Sequence, residues 1–366
     1  MHIAPRTKRQ VKKIIPYVII WFTAGILYTI LEKGLLGDSN IYPSTGNVYS
    51  FKSSLISVAV GTLIMGVVFG VLEISLGKRL FKSKPFGIKI FLKTILYVLM
   101  ICGFLITLSI ISNGMRTGLG VFHPEVIESV NLFIVDLVFW SVVLYVGVFI
   151  SFALFTAEMI DNLGVQAISN FFLGRYQTPK IEERIFMFLD MRSSTTIAEQ
   201  LGHVMYYQFL NTYYEDMTDA IIDTEAEIYQ YVGDEIVLSW SLKEGLKLKN
   251  CIRCFFMIKE RIASKSYKYM KDYDVIPEFK AGLHSGDVTT GEIGVIKKDI
   301  LFTGDVLNTA ARIQSMCNKL DSECLISEDL ARKINFDDGF AINDMGQFEL
   351  RGKGQKVKLY SVVATS

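Results

Sequence analysis

Two aspartates, Asp190 and Asp234, each stand at the end of an apolar run whose composition is typical of a β-strand. The first run is Ile-Phe-Met-Phe-Leu at 185–189, and the second is Ile-Tyr-Gln-Tyr-Val at 228–232. A hairpin that brought the two carboxylates together would make an oxygen-lined site suited to Mg²⁺ or Mn²⁺. Two such ions about 3.5–4 Å apart can stabilise the attacking and leaving oxygens of a phosphoryl displacement. On these two residues alone, solvated acids at strand ends are an equally good interpretation.

Two later segments carry further polar residues at regular spacing. They are Gly-Leu-His-Ser-Gly-Asp-Val at 282–288 and Gly-Asp-Val-Leu-Asn-Thr-Ala-Ala-Arg at 304–312. In the second segment Asn308 and Arg312 stand four residues apart, which places them on one face of a helix. Arg312 would offer phosphoryl oxygens a planar, permanently charged group of donors. A surface arginine and a helix cap are the alternative interpretation.

Taken in order, four blocks of this sequence resemble the class III nucleotidyl cyclases, the adenylate and guanylate cyclase family. The blocks are 188–195, 231–235, 282–288 and 304–312, and the resemblance covers about residues 181–364. It implies a reaction in which the ribose 3′-oxygen of a nucleoside triphosphate attacks the α-phosphorus and expels pyrophosphate. It also implies two Mg²⁺ or Mn²⁺ ions in each active site, at the positions of Asp190, Met191 and Asp234.

The resemblance also assigns the positions that contact the nucleotide. Asn308 and Arg312 match the pair that acts in the transition state, with Asn308 orienting the ribose and Arg312 contacting phosphoryl oxygens. Free backbone amides at a helix N-terminus suit a triphosphate, and the chain enters a helix at Arg192, Ser193, Ser194 and Thr195. A basic turn near the C-terminus contains Arg351, the preferred triphosphate contact, and Lys353. A solvated basic loop is the alternative for this turn.

Two positions that select the purine depart from the family pattern. Members that use ATP usually have Lys followed by Asp or Thr, and members that use GTP usually have Glu followed by Cys or a small residue. Here the matching residues are Gln230 and Leu301. Gln230 can donate and accept hydrogen bonds, whereas Leu301 can only pack. The sequence therefore predicts an adenylate cyclase that makes cyclic AMP, with a guanylate cyclase that makes cyclic GMP as the alternative.

Active sites of this family form between two cyclase domains, one of which supplies the metal-binding aspartates and the other the Asn and Arg. This chain carries both sets in one cyclase-like domain, so the resemblance implies a two-fold homodimer with two equivalent sites. A catalytically weak receptor or scaffold that uses the fold for dimerisation is an alternative. The joint presence of Asp190, Asp234, Asn308 and Arg312 argues against it. We expect no nucleic-acid partner.

The first half of the chain is strongly apolar. Of the 366 residues 51% are hydrophobic, and the excess lies before residue 160. Four apolar stretches, at about 14–32, 54–76, 88–112 and 130–155, are each long enough to cross a hydrocarbon core of about 30 Å. Four buried helices of a soluble domain are the alternative. The sequence predicts a membrane-embedded domain of four helices.

The distribution of basic residues predicts the orientation of these spans. The N-terminal segment and the loop between the second and third spans are rich in Lys and Arg, and the other two loops are poor in them. The rich segments contain Arg6, Lys8, Arg9, Lys12, Lys13, Lys78, Arg79, Lys82 and Lys84. The positive-inside rule then predicts a multi-pass protein of the cell (inner) membrane, with both termini and the catalytic domain in the cytoplasm.

Several residues within the spans are notable. Gly66 and Gly70 match the small-residue pattern of packed membrane helices. Asp136 is a candidate functional acid inside the fourth span, or it reaches the outer interface. Lys89 and Lys93 are expected to extend to the inner surface. The outer loops are short, so any regulator of this domain should be small, lipidic, or bound within the spans.

The sequence predicts three regions: a four-span membrane domain at 1–156, a helical coupling linker at 157–180, and a cyclase catalytic domain at 181–366. The linker should continue the fourth span and end near Gly174 and Pro179. The catalytic region alternates between strand and helix patterns, which predicts an α+β fold of the ferredoxin-like kind. We expect strands at 183–190, 226–232, 235–240, 278–286 and 288–294, and helices at about 195–222, 246–271 and 305–318.

Overall fold

The computed structural model describes residues 5–41, 48–77, 80–81, 83–120, 122–164, 168–169, 173–296, 298–336, 339–350, 354 and 356–365. The chain forms two compact units. One is Thr7–Ser169, and the other contains Asn170–Ser366.

The first unit is helical. Its helices are α1 (Pro5–Leu36), α2 (Phe51–Leu72), α3 (Phe86–Thr117), α4 (Pro124–Val135) and α5 (Leu137–Leu163). Four helical segments are long and apolar enough to cross a membrane: Gln10–Leu36, Phe51–Ser75, Phe86–Ile111 and Leu137–Leu163. The four predicted apolar helices are therefore present, and many of their apolar side chains face outward, as they would in contact with lipid.

Small residues allow α1 and α2 to pack closely. A Cβ atom added to Gly66 would lie 2.7 Å from the Cα atom of Val18, and one added to Gly70 would lie 3.3 Å from the Cα atom of Ile14. A larger side chain at either position would push the two helix backbones apart. The small-residue pattern in the sequence is therefore used in helix packing.

Asp136 caps a helix and does not lie within a span. Its backbone is extended, between the end of α4 and the start of α5, and its carboxylate accepts a hydrogen bond of 2.7 Å from the amide of Val138. A carboxylate at this position satisfies an amide that the first helical turn leaves unpaired. The apolar stretch expected at 130–155 is thus divided between two helices at Asp136.

Lys93 does not extend to the membrane surface. Its side chain is 3% exposed and pairs with Glu73 of the π-helical segment Glu73–Gly77 that continues α2, and with Glu158 of α5 at 3.7 Å. Lys89 also pairs with Glu158, and the hydroxyl of Tyr97 donates to Glu73 over 2.6 Å. The expectation for Lys93 is wrong because acids on neighbouring helices provide partners within the bundle. Lys89 lies in the first turn of α3 and is half-buried, so its extension to the inner surface stays a prediction.

Helix α5 ends earlier than the expected linker helix. Its last residue is Leu163, and Gly164 follows with φ of +87°, a conformation that favours glycine and stops a helix. Ile168 and Ser169 are again helical, whereas Val165 and Phe172 lie outside the described residues. The predicted uninterrupted continuation of the fourth span is therefore broken at Gly164.

The second unit is an eight-stranded mixed sheet covered by helices. Its strands are β1 (Lys180–Met191), β2 (Glu227–Val232), β3 (Glu235–Ser241), β4 (Phe279–Ile293), β5 (Asp299–Thr303), β6 (Cys324–Ser327), β7 (Phe340–Glu349) and β8 (Lys356–Ala364). Its helices are α6 (Ser194–Asp223), α7 (Leu242–Leu246), α8 (Asn250–Ser264), α9 (Ser266–Tyr273), α10 (Asp305–Met316) and α11 (Glu328–Ala331).

The strand order is that of an extended ferredoxin-like sheet. It runs β2-β3-β1-β4-β6-β8-β7, and β5 pairs with β4 off this path. The first four strands in this order, with α6 and α8 as connections, form the β-α-β-β-α-β unit of the ferredoxin-like fold. The α+β prediction for this part of the chain is confirmed.

Strand β1 is buried on both faces because helices cover both. Ile185, Met187 and Leu189 belong to the main core with α6 and α8. Phe186 points to the opposite face and packs in a second cluster with Val306 and Ala310 of α10. Since side chains alternate along a strand, Asp190 lies on the same face as Phe186, the face that α10 covers.

Two predicted boundaries differ from the structure. The strands expected at 278–286 and 288–294 are one strand, β4, because β1 pairs with it continuously from Phe279 to Thr290. The single helix expected at 246–271 begins only at Asn250, after the separate short helix α7, and consists of α8 and α9. Leu248 and Lys249 have φ of +51° and +59°, and this left-handed conformation interrupts a right-handed helix.

Candidate active site

The end of β1 places Asp190 between two charged neighbours. Asp190 lies opposite Glu235 of β3 on one side and opposite Lys280 of β4 on the other. Residues directly opposite one another in antiparallel strands have their side chains on the same face. The Nζ atom of Lys280 accordingly lies 3.5 Å from Oδ2 of Asp190.

The second aspartate is carried by a tight hairpin. Val232 and Glu235 pair across β2 and β3, so that Gly233 and Asp234 form a two-residue turn. Gly233 has φ of +64°, a value that glycine adopts without strain at the first turn position. The hydroxyl of Tyr214 on α6 donates a hydrogen bond of 2.8 Å to the carbonyl of Gly233. The turn that carries Asp234 is therefore held against α6.

The acidic groups of this site repel one another. Burial, and then the charge of Asp234, raise the pKa of Asp190, against the opposing effect of Lys280. Burial, and then the charges of Asp190 and Asp234, raise the pKa of Glu235 to about 7. Asp190 and Asp234 are close enough to share a hydrogen bond when one of them is protonated. A cation would relieve this repulsion and keep the carboxylates ionised.

These residues fit a divalent cation that is shared with a substrate. Within the described part of the chain, no group of three or more His, Cys, Asp and Glu side chains is arranged as a metal cage. Mg²⁺ is commonly held by one or two carboxylates together with substrate phosphates and water, and Asp190 and Asp234 supply such a pair. The side chain of Met191 is buried in the main core, so only its backbone carbonyl is available to a metal.

The chain after β1 makes a helix N-terminus near the carboxylates. Ser193 has φ of +54° and precedes α6 without making a side-chain cap. The amides of the first turn, from Ser194 and Thr195 onward, have no partners within the helix and are suited to an anion. The amide of Arg192 donates to the carbonyl of Glu278 at 2.8 Å, and its guanidinium lies 3.5 Å from the carbonyl of Ser322. The amide and the guanidinium of Arg192 thus both contact carbonyl groups of the same domain.

Helix α10 presents different residues on opposite faces. Asn308 is exposed and Arg312 is half-buried, and a helix places the two about 40° apart. Gln314 lies about 200° around the helix from Arg312, is buried, and donates from Nε2 to Oδ2 of Asp190 over 2.9 Å. Among the described residues, Asn308 and Arg312 make no hydrogen bond or ion pair with Asp190 or Asp234. Within one described chain the two predicted sets are therefore not joined by a hydrogen bond or an ion pair.

A glycine on β4 permits this approach of α10 to the sheet. A Cβ atom added to Gly282 would lie 2.2 Å from the backbone nitrogen of Gln314 and 2.7 Å from the carbonyl oxygen of Ala310. No side chain fits in this space without displacing the helix. Gly282, from the third sequence block, thus helps to place Gln314 beside Asp190.

The two candidate purine-binding residues lie on strands that approach each other. Gln230 is exposed on β2, and Leu301 is half-buried on β5, where it pairs with Gly291 of β4. Their sequence neighbours Tyr229 and Phe302 are in ring contact, with centroids 5.0 Å apart. The remaining predicted contacts, Arg351 and Lys353, lie outside the described residues.

The structure adds three residues that the sequence did not single out: Glu235, Lys280 and Gln314. Glu235 is the last residue of the block at 231–235, and Lys280 lies two residues before the block that begins at Gly282. Gln314 lies two residues beyond Arg312, so helical spacing places it on the opposite, inner face of α10. This placement is the indication of its role that the sequence offers.

A family model describes the same region of the chain. The model for the adenylate and guanylate cyclase catalytic domain matches residues 176–364. The chain belongs to this cyclase family. The matched region contains both aspartates, the Asp234 hairpin and all of α10.

Individual relatives of this chain include proteins named for either purine. It is 35% identical over 213 residues to adenylate cyclase 2 of Rhizobium meliloti (strain 1021), covering 58% of this chain and 59% of the relative. It is 28% identical over 171 residues to guanylate cyclase 2D of Rattus norvegicus, covering 46% of this chain and 15% of the relative. This chain therefore matches less than two thirds of the length of either curated relative.

Solved structures with a similar chain path include the adenylyl cyclase CyaB from P. aeruginosa. That match has 20% sequence identity and a TM-score of 0.46, and it covers 52% of this chain and 97% of the solved chain.

Proposed function

We propose that this protein is a membrane-bound adenylate cyclase that converts ATP to cyclic AMP and pyrophosphate at the interface of a homodimer. The observation that carries the proposal is the pair of carboxylates, Asp190 and Asp234, brought together by β1 and the hairpin within a domain of the cyclase family. The choice of ATP draws on the 35% identity to adenylate cyclase 2 of Rhizobium meliloti.

In this proposal the ribose 3′-oxygen forms a bond to the α-phosphorus. The bond between the α-phosphorus and the oxygen that bridges it to the β-phosphate breaks, and the 3′-hydroxyl proton is released. Bound Mg²⁺ or Mn²⁺ would polarise the phosphoryl oxygens and stabilise the charge on the leaving pyrophosphate. Asp190, Asp234 and the backbone carbonyl of Met191 would hold these ions. Amides at the start of α6 would bind triphosphate oxygens, with Ser193, Ser194 and Thr195 nearby, and Arg351 and Lys353 would add positive charge.

Asn308 and Arg312 complete the site from the partner protomer. They lie on the outer face of α10, and the inner face of the same helix reaches Asp190 of its own chain through Gln314. Arg312 would stabilise the developing charge on the α-phosphoryl group, and Asn308 would orient the ribose. Because two protomers exchange these groups, a two-fold dimer contains two equivalent sites.

Exposed apolar side chains near the hairpin support such a dimer. Val204 and Tyr207 of α6 are 75% and 68% exposed, and Tyr231 and Val232 of β2 are 50% and 49% exposed. Tyr231 is in ring contact with Tyr214, with centroids 4.6 Å apart, so α6 and β2 are adjacent. Strand β2 also stands at one end of the sheet, where no other strand of the described residues pairs with its outer edge. Exposed apolar groups beside an unpaired strand edge favour association with a second protein surface.

We further propose that residues 1–156 form the membrane domain, 157–180 couple it to catalysis, and 181–366 form the catalytic domain. The four apolar helices support a multi-pass protein. The basic segments support the inner membrane with both termini in the cytoplasm, where nucleoside triphosphates are available. A small or lipidic regulator could then act on the membrane domain.

The purine specificity should be measurable as a modest preference for ATP over GTP. Gln230 can present its carbonyl to the adenine amino group or its amide to the guanine carbonyl, and Leu301 offers no hydrogen bond to either. A pocket built around polar partners can distinguish two substrates by about 10⁴–10⁵-fold. The pocket of this protein should distinguish ATP from GTP far less. The measurement is turnover of ATP and GTP side by side with Mg²⁺ and Mn²⁺.

Two substitutions make this assay directional. Gln230→Lys should sharpen the preference for ATP, and Gln230→Glu should shift it toward GTP. A wild-type protein that turned over GTP at least as well as ATP would contradict the adenylate assignment, and would instead support a guanylate cyclase.

The orientation can be tested with reporters of compartment. A reporter fused to the C-terminus should be active in the cytoplasm, and one inserted near Ser44 should be active outside. The loop with Ser44 is poor in Lys and Arg, whereas the basic segments are expected on the cytoplasmic side of the membrane. The reverse pattern at both positions would overturn the positive-inside topology.

A further inference from the structure

We infer that Gln314 is a positioning residue for the metal-binding carboxylate of Asp190, so that helix α10 serves both active sites of the dimer at once. The inference rests on the proposed function, in which Asp190 binds a divalent cation. It assigns a role in metal binding to a residue on the inner face of the helix that carries Asn308 and Arg312.

The hydrogen bond between Gln314 and Asp190 is buried, and the backbone of Gln314 is fixed against the sheet. Nε2 of Gln314 donates to Oδ2 of Asp190 over 2.9 Å, and Gln314 is only 6% exposed. The backbone of Gln314 is pressed against Gly282 of β4, where a Cβ atom would lie 2.2 Å from its nitrogen. The donor therefore has little freedom to move relative to the strand that pairs with β1.

The two neighbours of Asp190 act on the same oxygen. Lys280 also approaches Oδ2, at 3.5 Å. The side-chain amide of Gln314 and the ammonium group of Lys280 thus both act on Oδ2. Together they fix the plane of the Asp190 carboxylate and leave Oδ1 to a metal ion. Outer partners that orient metal ligands in this way typically contribute about 10–100-fold to metal affinity or activity.

The same helix ties this carboxylate to the other active site. Asn308 and Arg312 lie on the far side of α10 from Gln314, and in the proposed dimer they enter the site whose aspartates belong to the partner. A shift of α10 would therefore move transition-state groups in one site and the orienting donor of Asp190 in the other. The helix is a rigid connection between the two sites.

The direct test is Mn²⁺ binding by the full-length protein in detergent, without nucleotide, with free Mn²⁺ measured by electron paramagnetic resonance. Gln314→Met keeps the side-chain volume but removes the donor, and should weaken Mn²⁺ binding by about 10-fold. Gln347→Met, at an exposed position on β7, is the matched control and should bind as the wild type does. Should Gln314→Met fold poorly, Gln314→Leu also removes the donor without adding a charge or a metal ligand, and should show the loss.

Two results of this titration have different meanings. Wild-type binding that both Gln314 variants leave unchanged would overturn the role of Gln314 alone. A wild-type protein that bound no Mn²⁺ would contradict the metal-dependent function, and this inference with it.

Mixed dimers separate positioning of Asp190 from general support of α10. When a protomer with Arg312→Ala is combined with one with Asp190→Ala, the intact site takes its aspartates from the first and its Asn308 and Arg312 from the second. Adding Gln314→Met to the first protomer should lower the activity of this dimer about 10-fold. Adding it to the second should have little effect, because Asp190 is absent there. Equal losses in both arrangements would show a structural role and overturn the inference.

Discussion

Asp190→Ala and Asp234→Ala should each lower metal-dependent cyclase turnover by at least about 10²–10³-fold, the order of magnitude for removing one preorganised electrostatic group. Each substitution removes a carboxylate that would hold a cation beside the triphosphate, and no other described residue completes a metal cage. The measurement is initial rate with saturating ATP and a series of Mg²⁺ and Mn²⁺ concentrations. Excess metal should restore only part of the rate, because one carboxylate and the substrate phosphates bind the ions more weakly than two carboxylates do.

Neither substitution should disrupt the fold. Burial and Asp234 raise the pKa of Asp190, and a carboxyl whose pKa rises on folding costs stability at any pH above its unfolded value. This cost is largest once the pH exceeds the raised, folded-state pKa. Asp190→Ala therefore removes a repulsion at neutral pH, at the expense of the hydrogen bond from Gln314. We expect the thermal midpoint in the absence of metal to change by only a few degrees, with the dimer retained.

The control for this experiment is Asp272→Ala, which removes an exposed carboxylate on α9. It should leave both rate and stability at the wild-type values. Substantial activity in Asp190→Ala or Asp234→Ala would show that the two carboxylates do not hold the catalytic ions.

The parts of this structure that sequence reasoning predicts well are those with local signals. The apolar run before Asp190 alternates between two buried faces, and the Gly-Asp pair after β2 provides the positive φ that a two-residue turn needs. Four helices of high hydropathy have the length that a membrane span requires. In each case the pattern lies within one element, so no knowledge of distant neighbours is necessary.

The residues that were missed depend on contacts between elements. The sequence predicts Lys93 at the membrane surface, since no local pattern indicates its partners Glu73 and Glu158, which lie 20 and 65 positions away. Gln314 was not singled out because its contact with Asp190 joins residues 124 positions apart. For Asp136 the sequence leaves a place inside the fourth span and one at the outer interface open, because an apolar run hides a helix boundary when a capping acid stands within it.

The assignment of Asn308 and Arg312 to a partner protomer shows the same limit in another form. Four-residue spacing places both on one face of a helix, but it does not say which site this face serves. The structure adds that the opposite face holds Asp190 of the same chain through Gln314. A helix that approaches Asp190 with its inner face directs its outer face away from it, which is the geometric reason for proposing a second protomer.

Mixing two inactive variants should restore activity, and this is the most discriminating test of the shared site. Asp190→Ala alone leaves both sites of a dimer without a metal ligand, and Arg312→Ala alone leaves both without the charge that would stabilise the transition state. In a mixed dimer, one site combines Asp190 and Asp234 of the Arg312→Ala protomer with Asn308 and Arg312 of its partner, so it carries no lesion. The other site carries both lesions.

The expected recovery follows from counting sites. Random association of two equally expressed protomers makes half of all dimers mixed, and each mixed dimer has one of its two sites intact, so recovery should approach about one quarter of the wild-type rate. The measurement is cyclase activity after co-expression with two different affinity tags, which allows mixed dimers to be isolated and quantified.

Co-expressing Asp190→Ala with Asp234→Ala is the matched control: both substitutions affect the same half of the site, so every site keeps a lesion and no recovery is expected. Mixed dimers that form but stay inactive would contradict a site shared between protomers, because the groups on opposite faces of α10 would then have to act within one chain.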